Sequence, residues 1–286
     1  MGELIPLFPL STPLFPGVVL PLQIFEPRYR RLVRDLVALP EGSDRRFFGV
    51  VGIRQGWEVE RIAPAKALYE IGCTARLQVV RPEADGGFQI VTVGGDRFRL
   101  LDVVVGQDPP YLQAEVEWLA DEEAAQEAAG DRELLGGPPG APGPGGAPVD
   151  EVAAAVTRGS MEVLVGAVRA LFNRYVLEVA GLQDGRDIDQ GTAADPGLPE
   201  GRGSGLDAEI AELLSGVADD PVALSYLVAS VSLLTTEDRQ ALLAQSSTRR
   251  RLAAEARILR RELTILREVG AVPVPIAQFA TPMTVN

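Results

Sequence analysis

The sequence predicts an α+β chain, with a small β-barrel over residues 1–120 and an α-helical bundle over residues 150–269. Three features lead there. Apolar and polar residues alternate in twos through Tyr69–Val79 and Leu112–Trp118, the period of half-buried strands. The spacing changes to threes and fours after residue 150, as on the apolar stripe of a helix. Between them, acidic and alanine-rich Asp121–Glu133 and the run GGPPGAPGPGGAP at Gly136–Pro148 can sustain neither element, so 121–149 reads as a flexible insert. Residues 270–286 read as an extended tail.

Taken in order, Leu4–Phe25 is apolar but holds prolines at 6, 9, 13, 16 and 21, which excludes a helical export signal or membrane span. Pro16-Gly17 suits a type II turn that sends the chain into a strand at Val18–Ile24. Phe25 is expected to anchor the helix that follows. That helix starts with Pro27, carries Tyr29, Leu32, Val33 and Leu36 on one face, and has Glu26 at its N-terminus, where Arg28 can pair with it or with another acid. Phe47–Ile53 is β-rich. Tyr69–Val79 and Phe88–Val93 form a hairpin about Pro82–Gly87, with Cys73 on the apolar face. Gly94-Gly95-Asp96-Arg97 reads as a turn between strands rather than a phosphate nest, since no helix follows it. Phe98–Val105 and Leu112–Trp118 complete the strands. Trp57, between Gly56 and Glu58, falls in an expected turn and is a contact candidate if exposed.

In the second half, Met161, Leu164, Val168, Leu171 and Tyr175 form the stripe of a helix from about Asp150 to Ala180, followed by a polar loop at Asp184–Gly205. Asp220-Pro221 is a strong helix start, and Thr235 with Asp238 resembles a capping box. The last helix spans Ser247–Val269. Leu252, Leu259, Leu263 and Leu266 lie on one side, and the arginines at 249, 250, 257, 260, 261 and 267 form a solvated face partly neutralised by Glu255 and Glu262.

Composition removes whole classes of chemistry. With 27 basic against 40 acidic residues the net charge is −13, which disfavours a phosphate-tracking nucleic-acid binder. The acidity is concentrated in residues 121–220, at −14, whereas residues 1–120 carry −2 and 221–286 carry +3. The chain has no histidine, one cysteine and one lysine, Lys66, so serine–histidine and cysteine–histidine pairs and histidine–cysteine zinc sites are excluded. Lys66 lies in Pro-Ala-Lys-Ala, outside any Walker loop and with no serine nearby in sequence for a dyad. A carboxylate pair remains open, although no spacing favours one. No catalytic residue, metal site or cofactor is expected, and the default compartment is the cytoplasm.

Three segments together resemble a known family. They are LIPLFPLSTPLFPGVVLPLQIFEPRYRRLV at 4–33, GDRFRL at 95–100 and DPVALSYLVASVSLLTTEDRQALLAQSSTRRRLAAEARILRREL at 220–263. This pattern is similar to the Lon N-terminal, substrate-binding domain. The resemblance implies a PUA-like barrel followed by helices. It also implies a non-enzymatic, ATP-independent module for unfolded or peptide-like protein clients, working alone or with an ATP-dependent protease or unfoldase. No ATPase or peptidase motif accompanies it here. The motif residues read first as determinants of the fold, and Leu14, Phe15, Tyr29 and Phe98 are the substrate-binding candidates. Clients would be held by side-chain pockets in an apolar groove between barrel and helices, or by a strand added to an open edge. The competing expectation is an RNA- or small-ligand-binding barrel.

Overall fold

The computed structural model describes residues 2–54, 64–121, 149–189, 212, 214–217 and 220–269. Trp57, most of the 121–149 insert, the loop expected beyond residue 189 and the 270–286 tail lie outside the described residues. The chain divides into two compact units. One comprises Met1–Asp121, Ala229–Val231 and Thr236–Ser246, and the other the remainder.

The first unit contains β1 (Glu3–Leu10), β2 (Val19–Ile24), α1 (Pro27–Val37), β3 (Phe47–Ile53), a 3-10 turn at Pro64–Ala67, β4 (Leu68–Pro82), β5 (Phe88–Val104) and β6 (Gln113–Leu119). The strand order is β2-β5-β4-β3-β1-β6, and β6 pairs a second time with the far half of β5, so the sheet curls round on itself. Period-two alternation did not disclose β1, because its sequence holds Pro6 and Pro9. The strand tolerates both by changing neighbours: Glu3–Pro6 pairs with β6 and Leu7–Leu10 with β3. Each half is therefore bonded on one side in these ladders, which leaves a side on which no donor is required.

The type II turn is present, with Gly17 at φ 75° and the Val18 amide donating to the Phe15 carbonyl at 3.2 Å. The stripe of α1 is buried at Tyr29, Leu32, Val33 and Leu36, and Arg28 bonds Glu26 at 2.8 Å. Phe25, by contrast, is 66% exposed, and the inward anchors on either side of it are Ile24 and Tyr29.

The turn expected at Gly94–Arg97 is strand instead. β5 runs unbroken through it, with a bulge where Cys73 pairs with Arg97 and Ala75 with Gly94. Glycine is required there because a Cβ on Gly94 would lie 2.0 Å from the Phe15 carbonyl oxygen. Cys73 lies in the core as its strand face implied.

The helical elements are α2 (Val149–Asp189), α3 (Pro221–Val231), α4 (Thr236–Leu243) and α5 (Thr248–Val269). α2 continues through 184–189, where a loop was expected. Asp220 caps α3 by accepting from the Val222 and Ala223 amides at 2.9 and 3.0 Å. α4 begins one residue after Thr235 and groups with the strands, where Gln240 donates to the Ile71 carbonyl at 2.7 Å. Within the helical unit, Val168, Phe172 and Tyr175 of α2 pack with Leu224 and Val228 of α3 and with Leu252, Leu259, Leu263 and Leu266 of α5. Glu255 and Glu262 are only 1% and 2% exposed. Glu262 still pairs with Arg261 of the arginine face at 2.6 Å, whereas Glu255 does not reach that face, and Arg251 one turn before it is fully buried. Both carboxylates fall on the leucine side of α5.

Gly94→Ala is expected to lower stability by about 1–3 kcal/mol through backbone collision. Gly181→Ala, in α2 with open space around its Cβ position, should raise it by up to about 1 kcal/mol. Urea unfolding midpoints of the two variants test the contrast.

Candidate functional site

The four residues singled out by sequence are core. Leu14 and Phe15 are 4% and 1% exposed, in the approach to the Gly17 turn. Tyr29 is 5% exposed, stacked on Phe8 with ring centroids 4.0 Å apart and covered by the Arg28 guanidinium at 4.6 Å. Phe98 is fully buried in a cluster with Ile5, Leu7, Val51, Leu68 and Leu112. A Cβ at Gly72 would meet its ring at 2.3 Å and one at Gly49 at 2.8 Å, so these two glycines make room for it. None of the four is placed to touch a client at the surface. Their aromatic bulk fills the sheet from within.

The exposed apolar surface lies elsewhere in the same unit. Paired residues of antiparallel strands project to one side, so the registers of β2, β5 and β4 define three rows on one face: Val19–Val93–Arg76, Pro21–Val91–Val79 and Gln23–Gln89–Arg81. Val19 is 60% and Val79 42% exposed, Pro21 is exposed, and Val91 and Val93 are half-buried. Phe25 follows directly after β2. The opposite face of the same strands holds Ile24, Ile90 and Thr92, all buried. Gln23 and Gln89 both bond Glu83, and Arg76 pairs with Asp44 at 3.4 Å, so the apolar rows carry a polar rim. A second exposed group, Leu4, Leu101 and Val104, is less continuous, since Leu4 pairs with Glu115 and Glu115 with Asp102.

β2 pairs with β5 on one side and with no other strand among the described residues. The Gly94 amide bonds the Val18 carbonyl at 2.9 Å, and the Thr92 hydroxyl bonds the Leu20 carbonyl at 3.0 Å. By alternation, the backbone groups of Val19, Pro21 and Gln23 therefore face the open edge. Proline removes the central donor of that edge, which blunts it against strand addition. Docking of side chains on the face is the interaction this geometry favours.

Burial holds two ionisable side chains in their protonated form. Burial pushes the Cys73 thiol well up, into its inert range. Tyr111 is pushed up to about 12 by burial and by its hydroxyl bonding Asp35 at 3.1 Å. Among the described residues, no three histidine, cysteine, aspartate or glutamate side chains gather to hold a metal ion. Nor is any helix among them long and apolar enough to cross a membrane.

A family model for the ATP-dependent protease La (LON) substrate-binding domain matches residues 4–261. The chain belongs to this Lon substrate-binding domain family. Among curated relatives, Lon protease 2 of Myxococcus xanthus is 30% identical over 125 residues, 43% of this chain. Lon protease 1 of Herpetosiphon aurantiacus is 25% identical over 259 residues, 90% of this chain. The chain spans 14% and 24% of the lengths of those two proteins. The fold matches the N-terminal domain of a Mycobacterium avium complex Lon protease with a TM-score of 0.51 and 17% identity, over 90% of this chain and 98% of that one.

The helical unit of this Lon domain holds a polar cluster. The fully buried Arg251 donates to Ser225 Oγ at 2.7 Å and to Thr248 Oγ1 at 3.2 Å, and its guanidinium lies 4.0 Å from the centre of the Tyr226 ring. Glu255, one turn on, has neither carboxylate oxygen hydrogen-bonded. Burial raises its carboxyl well above the ordinary range, and the nearby Arg251 only partly offsets this. The folded state then holds that proton more tightly than the unfolded chain. The stabilisation is complete below the unfolded value of about 4.3 and is lost as pH rises through the folded value. Glu255→Gln is therefore expected to flatten the decline of urea midpoints above about pH 5 and to stabilise the chain at neutral pH. Parallel profiles for the two proteins would contradict this.

Proposed function

We propose that this chain is a non-enzymatic, ATP-independent module that binds unfolded or otherwise exposed apolar polypeptide segments. The observation that carries the reading is the exposed apolar face formed by Val19, Pro21, Val79, Val91 and Val93 on one side of β2, β5 and β4. Contiguous exposed apolar surface with a polar rim is characteristic of interaction sites. Membership of a substrate-binding domain family supports a polypeptide as the ligand. Clients lie across the face through alternate side chains, with Phe25 at one end as an aromatic anchor of the kind that dominates binding energy. Held clients are either kept from aggregating or delivered to a separate ATP-dependent protease or unfoldase.

Fluorescence anisotropy against an array of apolar peptides tests the proposal. Binding is expected with and without ATP and with a shallow dependence on salt, whereas a steep salt slope would indicate nucleic-acid-like ligands. The pair Val19→Asp and Val79→Asp should weaken binding by about tenfold or more, with the circular dichroism spectrum unchanged. Absence of binding to any apolar peptide at tens of micromolar, or full affinity in the doubly substituted chain, overturns the reading.

A further inference from the structure

The exposed apolar face on β2, β5 and β4 does not stop at β4. Phe47 of β3 pairs with Arg76, Arg76 with Val93 and Val93 with Val19, so one row of side chains crosses four strands. Along the strands the face ends at Gln23, Gln89 and Arg81, but across them it continues. Phe47 is half-buried, and its ring meets Trp118 of β6 edge-on with centroids 6.1 Å apart. Trp118 is 40% exposed, although its ring also stands against the buried Phe98 at 6.4 Å. Its Nε1 donates to a Glu3 carboxylate oxygen at 2.9 Å. Phe47, Gly49 and Val51 share one side of β3, the side on which Phe98 fills the barrel. The open face is thus continuous with the inner surface of the curled sheet, and Trp118 stands where one passes into the other. One cation interrupts the row. Arg76 is exposed, and the Asp44 carboxylate that pairs with it at 3.4 Å is 98% exposed.

We propose that the preferred clients are extended segments with apolar side chains at positions i and i+4 and a carboxylate at i+2, and that Trp118 receives the second apolar side chain. This pattern rests on the client-binding reading above and gives it a direction across the strands. Neighbouring strands lie about 4.8 Å apart, so Val19 to Phe47 spans about 14 Å. An extended client rises about 3.3 Å per residue and turns alternate side chains to the sheet. Laid across the strands, it sets residue i on Val19 and Val93, residue i+2 on Arg76, and residue i+4 on Phe47 against Trp118. A carboxylate at i+2 takes the place of Asp44 on the guanidinium, whereas a lysine there sets like charges together. Glu3 already satisfies the indole N–H, so Trp118 offers apolar surface and needs no polar partner from the client. A client lying along the strands would instead run from Val93 and Val91 onto the polar row Gln23–Gln89–Arg81.

Three labelled peptides tested on the full chain decide it: Leu-Ser-Glu-Ser-Leu, Leu-Ser-Lys-Ser-Leu and an all-apolar reference. Anisotropy should show the glutamate peptide binding about fivefold more tightly than the lysine peptide, and Arg76→Glu should reverse that order. Arg76 is exposed, so the fold survives the substitution. In the Trp57→Phe chain Trp118 is the only tryptophan, and saturating glutamate peptide should shift its emission to the blue as the client covers the ring. Equal affinity for the two patterned peptides, a preference unmoved by Arg76→Glu, or an unshifted Trp118 emission at saturation overturns this inference and leaves the client-binding reading standing. So does binding of the apolar reference without either patterned peptide. Failure of all three peptides to bind overturns both.

Discussion

The first unit depends on how one buried cation is satisfied. Arg97 is 2% exposed in the middle of β5, where an unpaired charge would be untenable. Its guanidinium donates to the Leu243 carbonyl at 2.9 Å, the Gln245 carbonyl at 3.1 Å and the Ala120 carbonyl at 3.4 Å, and it meets the Asp121 carboxylate at 2.6 Å. Those partners are the end of α4, the residues after it and the segment following β6. Together with the Gln240 bond to the Ile71 carbonyl, this side chain ties a stretch nearly 150 residues later back to the strands. The bulge beside Gly94 sets the register on which this depends, and Gly94 in turn is fixed by the approach of the Phe15 backbone.

This constraint explains what the sequence disclosed and what it withheld. Strand and helix periods were legible at β6, α1 and α5 because each has one apolar and one polar face. In β4 the strand was legible but its faces were not, since residues 71–75 are buried on both sides and the bulge between Leu77 and Val79 turns Val79 outward. β5 was split in two because Gly-Gly-Asp-Arg carries turn chemistry, and only the Cys73–Arg97 pairing reveals a bulge. Arg97 reads as a surface residue until the carbonyls around it are known. In α5 the same blindness hid Glu255 and Glu262, whose charge argues for solvent although their position on the helix is that of the leucines. The capping signal at Asp220 was legible because the bonds that satisfy it are local, within three residues.

The candidate site failed to show for a related reason. Phe15, Tyr29 and Phe98 stand out in the sequence because they are large and belong to specific motifs, yet the sheet needs bulky rings inside and glycines opposite them. β2 alternates Val19, Pro21 and Gln23 with Leu20, Leu22 and Ile24, so both faces contain apolar residues and the period alone does not say which faces water. The strand registers decide it. Pro21 then has a meaning that composition could not supply, as the residue that blunts an open edge while leaving the adjoining face free to bind.

Three rows of a narrow sheet bury modest area, and part of that gain is spent on ordering a flexible client. A single face of this kind gives weak, broad binding, which suits the capture of chains that share only exposed apolar segments. On the proposed function, a client with several exposed apolar segments offers that face several equivalent ways to dock, so its apparent affinity rises with the number of segments it exposes. Preference for unfolded over folded protein then follows from the number of exposed segments and not from the fit of any one of them.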